Sequence, residues 1–288
     1  MNMKLEEKIL KILKKGVNRF LGKIGLKIIR TEDLLSKRLT FSFLGEEEII
    51  NKYLQTIPLE NKYCVDIAAA DGITMSNTLF LYKDNWNGIA VEYNSEKFAI
   101  LSDLYKKFKN INLIKTKVTP DNVIYILKSC LAPKNFTFLN LDIDSYDYYV
   151  LDKLLSEYRP MLICAEINEK IPPPIKFTVK YNPDHLYEGD HNYGQSITKL
   201  FELCKKYQYA LVELHYNSAF LIPNEINKNA SLIPQEAYNV GYKNKIDRKV
   251  KFPWNKDMEE LLYMSASDGI EFINKKFEKY KNKYICEL

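Results

Sequence analysis

The sequence predicts a doubly wound α/β fold: a mainly parallel sheet of seven strands with one antiparallel strand near its C-terminal end, plus helical appendages at both termini. Three observations lead there. Short apolar runs alternate with helical runs from Tyr63 to Lys206. Strand–helix–strand repetition at this spacing means right-handed crossovers between parallel neighbours. The last two apolar runs, Tyr209–His215 and Ala219–Ile222, are joined only by Tyr216, Asn217 and Ser218, which is too short for anything but antiparallel pairing. Finally, 288 residues with 46% hydrophobic content suffice for one large domain with additions and exclude a disordered chain.

Taken in order, residues 4–24 place Ile9, Ile12, Leu13, Val17, Phe20, Leu21 and Ile24 at helical spacing, with lysines on the other face. Residues 1–30 carry +7 and the remainder −2, within a total of +5. Two readings of this basic helix are open: packing on the domain or a partner, or peripheral contact with an anionic membrane surface. Residues 31–60 read as helical turns, including Glu46–Leu54, and Pro58 ends them.

The strand-like runs are Tyr63–Ala68, Gly88–Tyr93, Ile111–Thr116, Phe136–Asp142, Met161–Ile167, Tyr209–His215 and Ala219–Ile222. Helical runs at Thr74–Leu81, Ser95–Phe108, Pro120–Cys130, Tyr146–Tyr158 and Ser196–Lys206 lie between the first six. Pro120 suits a first helical turn, with Thr119 as its N-cap. A long insertion, 168–193, follows the fifth strand and is rich in aromatic and ligand-type residues, as functional loops often are. The tail is irregular, then helical at Met258–Met264 and Gly269–Tyr280. The expected organisation is an N-terminal helix and lead-in (1–60), a catalytic domain (61–223) and a helical appendage (224–288).

Several classes are excluded. No apolar run approaches the ~20 residues of a membrane span, and no cleavable export signal is visible. The five cysteines are scattered without a CxxC pair, as expected of reduced thiols in a cytoplasmic protein. The slightly acidic body argues against nucleic-acid binding. There is no GxSxG elbow and no GxxxxGK[ST] loop.

The chain is organised around Tyr63–Asn77, an apolar strand, a loop of small residues and a helix start. Such a loop lets backbone approach a ligand, and the following helix would aim its amides at it. An ordinary strand-to-helix turn has the same pattern. Glu92 ends the second strand, twenty residues after Gly72, where a carboxylate takes the hydroxyls of a ribose.

Asp66-Ile67-Ala68-Ala69-Ala70-Asp71-Gly72, Val91-Glu92-Tyr93-Asn94 and Leu139-Asn140-Leu141-Asp142-Ile143-Asp144-Ser145 resemble the class I S-adenosylmethionine-dependent methyltransferases, most nearly the FkbM-type group. The likeness covers about residues 60–222 and implies a Rossmann-like fold with S-adenosyl-L-methionine as cofactor. It implies that Asp66, Ala68 and Gly72 surround the methionine part, with Ala70, Asp71 and Ser76 beside them. Glu92 would hold the ribose, Lys117 and Val118 would border the adenine, and Asp142 would face the reaction centre. The loop departs from the family in having one glycine where three are common, which alanine tolerates if φ is negative.

A second constellation needs no family. Asp142 and Asp144 end the fourth strand, and Glu166 and Asn168 end the fifth. Neighbouring strand tips would gather three carboxylates and an amide, a set suited to Mg²⁺, Mn²⁺ or Ca²⁺, with His185 or His191 as a further ligand. The layout resembles the Mg²⁺ site of catechol O-methyltransferase-like enzymes; helix capping by the same residues is the alternative. His191, just before Gly194 and a helix start, would sit over the strand tips as a general base, or else bond locally within its loop.

These expectations converge on an O-methyltransferase acting on a small or glycan acceptor, with a surface sugar implied by the FkbM-type resemblance. The insertion would be its lid and acceptor wall, offering Phe177, Tyr181, Tyr187 and Tyr193 for stacking or for a small core of their own. The alternatives are a binding module without catalysis and a domain for NAD or a nucleotide-sugar.

Overall fold

In the computed structural model residues 40–288 are described. The basic helix expected at 4–24 lies outside them. Mainly apolar runs make β1 (Tyr63–Ile67), β2 (Asn87–Glu92), β3 (Ile111–Lys115), β4 (Phe138–Leu141) and β5 (Leu162–Glu166). β4 and β5 are buried at every position, as parallel strands covered on both faces must be. With β7 (Tyr209–His215) and β8 (Ser218–Pro223) they form one sheet in the order β3-β2-β1-β4-β5-β8-β7.

β8 runs antiparallel to both its neighbours, and the other pairings are parallel. The tight hairpin turns at Tyr216, whose φ is 53°. The chain winds outward from β1 to β3 and then returns to β4 on the other side of β1. That reversal opens a crevice at the carboxyl ends of β1 and β4, the place where open α/β sheets bind ligands.

Around the sheet lie α1 (Glu46–Leu54), α2 (Leu79–Lys83), α3 (Ser95–Tyr105), α4 (Val123–Ser129), α5 (Asp147–Leu155) and α6 (Ile197–Tyr207). Leu139, Leu141, Val150, Leu154, Ile163 and Leu200 meet in the main core. Two helices start later than expected. The Asp71 carboxylate captures the amides of Ile73 and Thr74, and Ser76 Oγ captures those of Thr78 and Leu79, so α2 begins at Leu79, not at Thr74. Such local bonds compete with helix formation. Likewise Thr119 N donates to Asn122 Oδ1 and Asn122 N to Thr119 O, which holds a turn before α4 begins.

The insertion also differs from a plain lid. Its β6 (Lys176–Val179) pairs antiparallel with β9 (Tyr284–Glu287) at the far end of the chain. α7 (Pro234–Tyr238), α8 (Arg248–Lys251), a 3-10 stretch at Pro253–Tyr263 and α9 (Ala266–Lys276) lie between. Phe177 and Val179 are buried with Met258, Ile273 and Phe277 in a second core, so Phe177 is unavailable to an acceptor. A buried ion pair seals this region. Glu169 accepts from Lys170 Nζ at 3.2 Å, Asn255 Nδ2 at 2.6 Å and Tyr193 OH at 3.1 Å. Among the described residues no helix is long and apolar enough to cross a membrane.

Candidate active site

The crevice is a cavity of about 610 Å³, bordered by the loops that follow β1, β2, β3 and β4. The β1 loop is folded over the end of β2: the amides of Ala68 and Ala69 both donate to Val91 O, at 3.0 and 2.9 Å. Ala68 and Ala70 have φ of 70° and 50°, so the condition under which alanine replaces glycine freely, a negative φ, is not met at these two positions. Each bears the ~1–2 kcal/mol that a Cβ costs in the left-handed region. The Val91 contacts and a bond from Ala70 N to Glu92 Oε2 (3.0 Å) hold this shape.

Glu92 Oε1 accepts Asn94 N at 2.6 Å. Each carboxylate oxygen keeps a second acceptor site for a ligand in the cavity. Gly72 does not line the cavity, contrary to expectation. It faces α3, where a Cβ would overlap Leu101 Cδ1 and lie 2.8 Å from Tyr105 Cε1, and its φ is 75°. Its role is to let the loop close on that helix. Asp71 and Ser76 border the cavity, but their side-chain oxygens are engaged by the turns described above.

Parallel register sets Asp66 beside Asn140. Asp66 accepts Asn140 Nδ2 at 2.9 Å and Thr78 Oγ1 at 2.6 Å. Burial, partly offset by these bonds, raises its carboxyl to about 6. Asn77 Nδ2 donates to Asn140 Oδ1, while the buried Asn77 Oδ1 on the cavity wall has no partner.

Asp142, Asp144 and Glu166 bring one oxygen each to within 4.8 Å of one another. The Asp142 side chain is open to the cavity, yet the protein around the cavity floor strips much of its solvation. That desolvation and the neighbouring Asp144 push its carboxyl up to about 8. Glu166 is raised well above the usual carboxylate range, first by burial and then by Asp142. Two such acids side by side retain a proton between them near neutral pH. Glu166 Oε1 accepts Asn217 Nδ2 at 3.0 Å, and Oε2 has no partner. Asp147 is occupied below by the amides of Ile143 and Ser145.

Asn168 stands just past the end of β5, and its buried Oδ1 has no partner. Its Nδ2 donates to the carbonyls of His191 and Tyr193 and pins the insertion. The His191 ring does not line this cavity: its Nε2 lies 3.0 Å from Asp257 Oδ1. The histidine at the cavity is His185, with Nδ1 at 2.6 Å from Ser145 Oγ. Burial and the nearby Lys117 lower its pKa, which leaves the ring neutral. Lys117 decides this choice by clamping the carbonyls of Pro183 and His185, so that 185–187 fold over the opening. Val118 lines the wall, and its carbonyl accepts Tyr146 OH at 3.1 Å. Ile100, Tyr146, Leu186 and Tyr187 are also in the lining; nothing in the sequence singled out Ile100, Tyr146 or Leu186.

The residues fit S-adenosylmethionine. The floor is acidic, the orphan Asn77 Oδ1 awaits a donor, and a carboxylate with free acceptor sites stands at the β2 end.

The strand order, with a single antiparallel strand between β5 and β7, is that of a doubly wound, Rossmann-like sheet. No protein-family model matches the chain, and no curated protein does. Among solved structures it is similar to an O-methyltransferase from Bacillus cereus in complex with S-adenosylhomocysteine (12% identity over 72% of this chain and 96% of that one, TM-score 0.45). It is also similar to the S-adenosylhomocysteine-bound N-terminal domain of EvdMO1 (9%, 62% and 79%, TM-score 0.41). A third is precorrin-6y C5,15-methyltransferase from Geobacter metallireducens (14%, 65% and 92%, TM-score 0.38).

Proposed function

We propose that this chain is an S-adenosylmethionine-dependent methyltransferase that methylates a hydroxyl oxygen of a small or glycan acceptor. One observation carries the reading: the switch-point cavity is lined by Glu92 on the β2 side of β1 and by Asp142 and Asp144 on the β4 side, with the Glu166 carboxyl beside these two. When bound, the cofactor supplies a transferable methyl group on a cationic sulfur. Asp66, Asn77 and the acidic floor suit its positive charges, Glu92 suits the ribose hydroxyls, and Val118 and Ile100 offer apolar walls to the adenine.

The chain's own residues then have three tasks. The β1 loop and Lys117 hold the pocket's shape. The 185–187 segment limits water at the opening. Asp142, with the Glu166 carboxyl beside it, takes the acceptor's hydroxyl proton, and its raised pKa makes it a better base near neutrality than an ordinary carboxylate. The glycan preference is supported by the FkbM-type resemblance.

Asp142, Asp144 and Glu166 are also the residues that would hold a divalent cation such as Mg²⁺ or Mn²⁺, and the unpartnered Glu166 Oε2 favours this. Binding would displace the shared proton, so affinity would rise with pH. Incubation with S-adenosylmethionine and a saccharide panel, followed by mass analysis of the acceptors, tests the reading. Methyl gain that is lost in Asp142→Asn supports it. No methyl gain on any acceptor, with no cofactor binding, would sink it. Chelation that leaves the rate unchanged would remove the cation.

A further inference from the structure

A second cavity, of about 600 Å³, lies between the insertion and the C-terminal elements. Tyr187 lines both cavities. We infer that this second cavity is a saccharide subsite, holding the distal part of an uncharged, hydroxyl-rich acceptor whose reacting end passes Tyr187 toward Asp142. The direction of the acceptor rests on the methyl-transfer reading; the binding site does not.

Two features select this ligand class. The wall combines aromatic faces with polar side chains, and Trp254 there is 55% exposed. A large ring left half-bare in a polar cavity suits the C–H face of a sugar. The charges are also already matched. Lys276 pairs with Asp257, Lys279 with Asp190 at 2.9 Å, and the buried Lys170 with Glu169. A phosphate or carboxylate would bring a negative charge beside Asp190 and Asp257, where each lining lysine is already paired. A hydroxyl can accept from the lysines and donate to the carboxylates while the pairs persist. His191 belongs here, fixed by Asp257 and kept neutral by burial, so it adds a hydrogen-bonding group without charge.

The chain has two tryptophans, and Trp86 is buried, so Trp254 fluorescence reports on this cavity. The test is fluorescence titration of the full chain with neutral trisaccharides of glucose, galactose and N-acetylglucosamine, and with inorganic phosphate. The expected result is a saturable change with at least one trisaccharide and none with phosphate. Asp257→Asn and Lys276→Met should each weaken it by about ten-fold, the loss of one or two good hydrogen bonds. No saturable change with any trisaccharide, or equal affinity in both variants, overturns the proposal. A change with phosphate alone overturns the ligand class. Calorimetry with S-adenosylhomocysteine on the same samples separates the two readings: its failure removes methyl transfer and leaves the saccharide result standing.

Discussion

The backbone amide of Ala70 donates to Glu92 Oε2 at 3.0 Å, tying the loop after β1 to the end of β2. One carboxylate thus shapes the loop and faces the ligand cavity. The tie also explains how a loop with alanines at positive φ persists. Glycine at these positions removes ~1–2 kcal/mol of strain and adds ~0.5–1 kcal/mol of backbone entropy cost. Ala68→Gly and Ala70→Gly should therefore each be neutral to stabilising, by up to about 1.5 kcal/mol. Urea unfolding checks this, and a loss of stability in either variant counts against the strain.

Gly72→Ala should do the opposite. It combines a left-handed backbone with overlap on Leu101 and Tyr105, at an expected cost of about 2–4 kcal/mol. A thermal midpoint equal to wild type would show that the loop closes on α3 differently.

The acidic floor sets a pH dependence. Asp142 is pushed up to about 8 from an ordinary 3.8, so the native state holds this proton more tightly than the unfolded chain does. Its contribution is fully present below pH ~4 and is lost as pH rises to ~8. Asp142→Asn removes the penalty. Its stability advantage should be absent near pH 4 and reach about 1–2 kcal/mol at pH 8, a discounted figure because the side chain is open to cavity water. Turnover should fall in the same variant. Asp144→Asn should move the ascending limb of the rate profile to lower pH, since Asp144 is the largest neighbouring charge raising Asp142. An unmoved limb would remove Asp142 as the base.

Glu169→Gln leaves Lys170 buried without its counter-charge. The expected loss is about 3–5 kcal/mol, and the double variant with Lys170→Met should recover much of it. Denaturation of the three variants tests this, and an additive double variant would contradict the pairing.

Much of the fold was legible because strands buried on both faces leave mainly apolar runs, as in β4 and β5, and the Tyr216–Asn217 turn is too short for a crossover. The β6–β9 sheet was not legible, since Lys176–Val179 finds its partner more than a hundred residues away at Tyr284–Glu287. At the site, Asp66, Glu92, Asp142 and Glu166 were readable from strand ends, because strand ends fix where side chains emerge. Which of His185 and His191 turns to the cavity was not. That depends on Lys117 holding two carbonyls of the insertion and on Asp257, contacts with no local signature. The α2 start was missed for a similar reason, as Asp71 and Ser76 spend their oxygens on nearby amides.

The central claim is that the switch-point cavity holds S-adenosylmethionine through Glu92. Calorimetric titration of the full chain with S-adenosylhomocysteine, repeated on Glu92→Ala, tests it most directly. The account predicts saturable binding to wild type and about a hundred-fold weaker binding to the variant, as for losing a charged hydrogen-bonding group. Absence of heat with wild type, or equal affinity in both proteins, would contradict it.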